Sequence, residues 1–221
     1  MVFAECLPRR PLGQTATMEK VAIFGNAGAG KSTLAKQLAA ITGLPLFPLD
    51  TIKFRAGRYR PEEKDGGEVS QGEYQKLHAE LLKRDQWIID GYDSVASAWQ
   101  RFDAADTLIY IDLPLLTHYR WVTKRLVKGL FRNPEGWPEN SPIWSSTLSG
   151  YRVIRLCHQH LTPKYRQLVA SASSDKRVHH LRSPAEIRSF LDAVREEKLK
   201  TDAEETRKTT EPPRSPTGSV V

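Results

Sequence analysis

Nine consecutive residues limit the folds open to this chain more than any others: Gly25, Asn26, Ala27, Gly28, Ala29, Gly30, Lys31, Ser32 and Thr33. They fit the pattern G-x-x-x-x-G-K-[ST], with Ser32 in the hydroxyl position. Before them, Val21-Ala22-Ile23-Phe24 is short, apolar and partly β-branched, as a buried strand would be. After them, Leu34 to Ala40 reads as a helix. The pattern needs that order of strand, glycine loop and helix.

Elementary chemistry explains the residue types. Glycines let the backbone take φ > 0 and approach a ligand closely. The loop can then turn its N–H groups inward around an anion, and the next helix adds its positive end. Lys31 is a point charge able to reach outer phosphates. The Ser32 hydroxyl suits a Mg²⁺ that also holds phosphate oxygens.

The chain has 221 residues, enough for one domain with a full core and no need of disulfides. Cys6 and Cys157 are far apart and lack zinc or redox spacing, so reduced thiols in a cytoplasmic setting are expected. No apolar run has the length of a membrane span, and Met1–Arg10 lacks a signal-peptide apolar stretch. Residues 1–17 read as a disordered extension, with the folded unit starting at Met18. Residues 198–221 are polar and proline-bearing and read as a disordered tail. The net charge of +7 belongs to the part between, because 1–17 hold +1 and 196–221 hold −1. A basic core suits a polyanion, either nucleotide phosphates or nucleic acid.

Strand and helix signals alternate through 18–197. Leu44–Leu49 ends at Asp50, and its prolines fit an edge strand better than a central one. Residues 55–69 read as a loop. Gln71–Arg84 has Tyr74, Leu77, Leu81 and Leu82 at helical spacing. Trp87–Ile89 and Thr107–Ile111 are strands ending at Asp90 and Asp112. Leu115–Leu130 is a basic helix, 133–142 a proline loop, and Trp144–Ala172 largely helical with a break near Pro163. Arg177–Leu181 is a last strand, and a helix opens at Pro184 and runs to about Glu197. The pattern predicts an α/β, three-layer P-loop NTPase fold: a five-stranded parallel sheet with helices on both faces. Ligands in such sheets bind beyond the strand C-termini. The glycine loop, Asp50, Asp90 and Asp112 all fall there.

The phosphate loop, Leu46–Asp50, Trp87–Tyr92, Ile109–Pro114 and the helix around Arg120–Arg125 resemble the adenylate-kinase-related P-loop kinases. Within that group they look most like the bacterial proteins labelled DNA topology modulation protein, over about 18–195. The resemblance implies a nucleoside-monophosphate-kinase fold with 115–172 as a helical lid-like region. It implies that Asp90 stands near Mg²⁺ through water, and that Asp50 meets the acceptor or the metal. It implies too that Arg120 and Arg125 reach the transferring phosphate, and that Arg182 lies near the adenine. The family's usual Asp-Gly-Phe-Pro-Arg reads Asp90-Gly91-Tyr92-Asp93-Ser94 here, without its arginine, and no long lid domain is present.

Each residue also has a simpler structural role open to it. Asp50 and Asp112 suit helix caps. Lys124 and Lys128 suit a solvated face. Arg55, Arg58 and Arg60 suit either an acceptor site or a solvated loop. The tryptophans, Trp121 among them, suit core or helix anchors. His158 and His160, two apart, would not share a helical face, which argues against a metal pair. There is no G-x-S-x-G elbow for a hydrolase and no N-K-x-D-type motif for guanine.

The expectation is an ATP- and Mg²⁺-dependent phosphotransferase acting on a small acceptor, a nucleoside monophosphate by resemblance. The competing expectation is an ATP-binding regulator associated with DNA.

Overall fold

The computed structural model describes residues 18–54, 67–91, 95–129, 143–172 and 176–210. Five strands, β1 (Lys20–Gly25), β2 (Leu46–Pro48), β3 (Trp87–Asp90), β4 (Thr107–Ile111) and β5 (Arg177–Leu181), form one sheet in the order β2-β3-β1-β4-β5. Every pairing is parallel. The central strand β1 aligns Ile23 with Asp90 on one side and with Ile109 on the other. Eight helices connect these strands and end the described chain: α1 (Lys31–Thr42), α2 (Asp50–Lys53), α3 (Gln71–Leu82), α4 (Val95–Ala104), α5 (Leu115–Gly129), α6 (Ile143–His160), α7 (Thr162–Ala172) and α8 (Pro184–Thr210).

The period-2 alternation of a strand sorts β1 between two cores. Val21 and Ile23 pack with Leu34 and Leu38 of α1 and with Phe190, Leu191 and Val194 of α8. Ala22 and Phe24 face the other way, against Ala98 and Phe102 of α4 and Tyr165 and Val169 of α7. Both faces are therefore covered: β3 and β4 are buried along their whole length and β1 at its four central residues, while β2 and most of β5 are half-buried. Phe24 stacks on Tyr110 at 5.1 Å and meets Tyr165 edge-on at 5.1 Å, so the second core is built around aromatic rings.

β2 pairs with β3 alone among the described residues, as its prolines led us to expect. The break before α7 also falls near Pro163. Leu161 separates the two helices, and Pro163 occupies the first turn of α7, where a missing N–H costs little.

Three expectations are corrected. First, α3 buries Tyr74, His78 and Leu81, not Leu77, which is 40% exposed. The inward stripe runs i, i+4, i+7, and His78 replaces Leu77 in it. Second, the last helix does not end near Glu197 but continues to Thr210. Its first half is docked on the sheet, so extension needs no new nucleus. Lys198–Asp202 adds an i, i+4 ion pair at 2.8 Å. Third, Asp112 does not cap α5; its carboxylate is engaged elsewhere, as described below. The expected terminal extension 1–17, the loop residues Arg55, Arg58 and Arg60, and 211–221 lie outside the described residues.

Candidate functional site

The glycine loop leaves β1 at Gly25 and enters α1 at Lys31. Gly25 has φ +149°, and a Cβ placed on it would lie 2.5 Å from the backbone oxygen of Ile111. A side chain there would collide with the neighbouring strand, so the motif's first glycine is a requirement of the sheet. Gly30, at φ +81°, closes the loop in the left-handed region. α1 then starts with no side-chain cap, since Gly30 has no side chain to supply one. Ser32 and Thr33 are exposed in that first turn.

Lys31 Nζ donates to the backbone oxygen of Asn26 at 2.9 Å, and the Ala29 N–H donates to the same oxygen at 3.3 Å. The ammonium thus folds back over its own loop. The Asn26 carboxamide is buried. Its Oδ1 accepts from the Ala27 N–H at 2.6 Å, and its Nδ2 donates to the Ile154 oxygen of α6 at 3.1 Å.

Next to the loop, β3 ends at Asp90, which is 4% exposed. The Asp90 oxygen accepts from the Leu49 N–H at 2.8 Å, so the end of β2 is tied to the end of β3. This brings the start of α2, at Asp50, to the same rim. Gly91 continues that contact: a Cβ there would meet Leu49 Cβ at 3.0 Å. Arg101 of α4, fully buried, donates to the Gly91 oxygen at 3.1 Å. The Asp50 side chain and the Arg125 side chain lie outside the described residues.

On the other flank, Asp112 follows β4. Arg166 of α7 grips it with two bonds, Nε to Oδ2 at 2.8 Å and Nη2 to Oδ1 at 3.0 Å. His180 Nε2 donates to Oδ2 at 2.9 Å, which leaves His180 Nδ1 to accept from Arg182 Nη2 at 3.2 Å. Burial by itself would raise the Asp112 carboxyl, but the hydrogen bonds from Arg166 and His180 and the Arg166 charge outweigh it and hold the group below the usual carboxylate value. Burial, with the Asp112 charge beside it, pushes the Tyr110 hydroxyl well up, so it stays protonated. Asp112, Leu113, Pro114, His158, Arg166 and Arg182 line a recess of about 640 Å³ beside these strand ends. Arg182 is therefore where the sequence put it, at the end of β5, and it borders a cavity.

The helices α5 and α6 pack against each other and cover the loop. Tyr119 meets Tyr151 edge-on at 5.5 Å. Thr123 Oγ1 donates to the Tyr119 oxygen at 2.8 Å, so the Tyr151 hydroxyl donates to Thr123 at 2.6 Å. A Cβ on Gly28 would touch Val122 Cγ2 at 2.7 Å, and one on Gly30 would touch Trp121 at 3.0 Å. His118, 1% exposed, donates from Nε2 to the Leu113 oxygen at 3.1 Å. Burial lowers its pKa first, and the charges of Lys31 and His158 lower it further, against the raising effect of the Leu113 and Ala27 backbone. Burial likewise raises the Cys157 thiol, against the Lys31 charge. Arg120 is exposed on α5.

The sequence reading missed His118, Val122 and the role of Asn26. The signal for the first two was present: His118, Trp121 and Val122 stand at i, i+3 and i+4, one face of α5. Trp121, expected as an anchor, is packed on the glycine loop.

No family model matches the chain, and no curated protein matches it in sequence. Solved structures do resemble it. A shikimate kinase from Acinetobacter baumannii, in complex with shikimate, superposes with a TM-score of 0.52 at 17% identity, over 84% of this chain and 95% of that one. A shikimate kinase from Bacteroides thetaiotaomicron gives 0.47 at 15% identity, over 81% and 98%. A gluconokinase from Sinorhizobium meliloti 1021 gives 0.41 at 11% identity, over 87% and 98%. The first of these shares its fold with this chain: a five-stranded parallel sheet between helices.

Proposed function

We propose that this protein is a phosphotransferase that moves the γ-phosphoryl of ATP to a small acceptor. The observation that carries the reading is the glycine loop itself: β1 runs into it, Lys31 folds over it, and an uncapped α1 starts from it. Backbone donors, a helix end and one ammonium then converge on a single anion site.

The residues suit Mg²⁺. It takes oxygen donors, keeps several waters, and usually has one or two protein ligands beside the phosphates. The exposed hydroxyl of Ser32 and the carboxylate of Asp90, by way of water, are such donors. Bound there, the ion would neutralise charge on the phosphate oxygens. Lys31 would leave the Asn26 oxygen for the phosphates. Thr33 and the loop amides of Gly28, Gly30, Lys31 and Ser32 would hold them in place, with those of Ala27 and Ala29 bonded within the loop to Asn26. Arg120 and Arg125, on the helix covering the loop, are the cations proposed for the transferring phosphoryl. Asp50, at the neighbouring strand end, is proposed to orient the acceptor hydroxyl. The recess bordered by Arg182 is the proposed seat of the adenine. Positioning and electrostatics make up almost the whole of such catalysis.

A nucleoside monophosphate remains the first acceptor to test, on the resemblance to adenylate kinase-like proteins. The screen uses labelled ATP with nucleoside monophosphates, nucleosides, sugars and hydroxy acids, shikimate included. Transfer to one class, abolished by Lys31→Ala in a protein that still folds, is the expected result. Unchanged ATP affinity of Lys31→Ala in calorimetry would overturn the site.

One observation favours a second reading, in which ATP binding controls contact with nucleic acid, as the resemblance to DNA topology modulation proteins suggests. α5, α6 and α7 carry Arg120, Lys124, Arg125, Lys128, Arg152, Arg155, Lys164 and Arg166, with no aspartate or glutamate. By contrast, α8 mixes both signs along its length. The excess positive charge of the chain is thus concentrated on α5 and α6, which cover the loop, and on α7, which packs against α6. For location, the structure shows that no helix among the described residues is long and apolar enough to cross a membrane; a cytoplasmic enzyme is part of the proposal.

A further inference from the structure

We propose that Asn26 is a positioning residue that couples the phosphate loop to α6, so that nucleotide binding is transmitted to the cationic helices through one buried carboxamide. The proposal rests on the reading that nucleotide binds at this loop.

Asn26 occupies a position that the phosphate-binding pattern leaves free. A side chain there could point into solvent. Here it is 6% exposed and makes two bonds in opposite directions. Toward its own loop, Oδ1 holds the Ala27 N–H at 2.6 Å; toward α6, Nδ2 holds the Ile154 oxygen at 3.1 Å. The two residues are 128 positions apart. The carboxamide fixes the orientation of the peptide that follows it. The oxygen of that peptide receives Lys31 Nζ at 2.9 Å. One residue therefore holds three groups: the turn of the loop, the helix above it, and the ammonium in its resting position.

This arrangement has a mechanical consequence. When Lys31 moves to a phosphate, the Asn26 peptide oxygen loses a charged donor. The peptide is then free to reorient, and the carboxamide attached to the same Cα must follow or resist. Ile154 is fully buried in the middle of α6, one residue from Arg155 and two from Arg152, both exposed. A shift at the Ile154 oxygen moves those arginines as well. Van der Waals contact of Val122 and Trp121 with the loop adds to the coupling but lacks a direction. The Asn26 bond has one.

The test is hydrogen–deuterium exchange of the full chain with and without Mg²⁺ and a non-hydrolysable ATP analogue. It compares the unaltered protein with Asn26→Ser and Asn26→Ala. Serine keeps an oxygen for the loop but is too short to reach Ile154, so it carries the test if the alanine variant fails to fold. In the unaltered protein the analogue is expected to change exchange in the peptide around 150–158 by about tenfold. In the variants the analogue still binds, about fivefold to tenfold more weakly from one lost hydrogen bond, and the change around 150–158 is lost. A response around 150–158 that persists in both variants overturns the proposal. So does analogue binding by the unaltered protein with no change there, and in that case the nucleotide site stands. Failure of the unaltered protein to bind the analogue at all overturns both.

Discussion

Arg166 reaches across from α7 and chelates Asp112 through both carboxylate oxygens, at 2.8 and 3.0 Å, locking a helix of the second core to the end of β4. The carboxylate is 7% exposed while the guanidinium is 57% exposed, so solvent screens the arginine far more than the aspartate. Removing the two partners should therefore have unequal effects. Arg166→Ala is expected to cost about 1 kcal/mol, as a half-exposed pair would. Asp112→Ala is expected to cost roughly 2–3 kcal/mol, because it removes three hydrogen bonds at once and leaves the largely buried His180 Nε2 without its acceptor. Urea unfolding of the two variants measures the difference. The pH sign follows from the lowered carboxyl: its contribution is complete above the unfolded value of 3.8 and disappears as pH falls through the lower folded value. Asp112→Asn should flatten stability against pH on that acid side only.

His78 sets a second pH dependence, at higher pH. It is 1% exposed on α3 and stacks on Tyr74 at 5.8 Å. Burial, and then the Arg101 charge, bring its pKa from 6.5 down to about 4. The unfolded chain gains a proton on this ring below pH 6.5 while the folded chain does not. Stability is consequently full above 6.5 and is lost as pH falls toward 4. The loss from this one ring is on the order of 3 kcal/mol. His118 and His179, also lowered by burial, act with the same sign. His78→Phe should reduce the fall in urea midpoint between pH 7 and pH 5 relative to the unaltered protein. An identical fall in both would show that the ring is charged in the folded state.

The sheet was legible in the sequence because its signals are local. Val21–Phe24, Trp87–Ile89 and Thr107–Ile111 are apolar runs stopped by a glycine or an aspartate, and each became a strand at that place. Asp90 at the rim followed directly. Features that depend on distant residues were not legible. The partner of Asp112 is 54 residues away, and the partner of Asn26 is 128 residues away. No spacing rule connects such pairs. α8 was misjudged beyond Glu197 for another reason: residues 198–204 bury little, yet they extend a helix whose start the sheet already holds. On α3 the apolar spacing pointed to Leu77, but the fold placed the polar ring of His78 inside.

Two glycines of the loop should respond differently to the same methyl group. At Gly25 the added carbon would lie 2.5 Å from the Ile111 oxygen, a backbone atom of β4 that pairs with β1. Neither side can move without parting the sheet. Gly25→Ala is expected to lose roughly 2–4 kcal/mol of stability, from the collision and from the φ of +149°. At Gly30 the nearest atom is the edge of the Trp121 ring at 3.0 Å, a side chain that can shift. Gly30→Ala is expected to lose only about 1–2 kcal/mol, mostly backbone strain. Both values come from urea unfolding curves. A larger loss at Gly30 would mean that Trp121 is held rigidly against the loop.

The cations of α6 allow the two functional readings to be separated. Arg152 and Arg155 are exposed, on a helix without acidic residues. In a small-molecule kinase they would attract nucleic acid only as a diffuse field, with affinity that fades with salt. Each phosphate contact released contributes roughly 0.7 to the slope of log affinity against log salt for a single strand. If these two arginines touch the backbone, replacing both by alanine should reduce that slope by about 1.4. The measurement is fluorescence anisotropy with a single-stranded oligonucleotide from 50 to 200 mM salt, on the order of the range in which such binding changes most. An unchanged slope would place the nucleic-acid contacts elsewhere. Tight binding that persists at the upper salt limit and depends on ATP would favour the regulator over the small-molecule kinase.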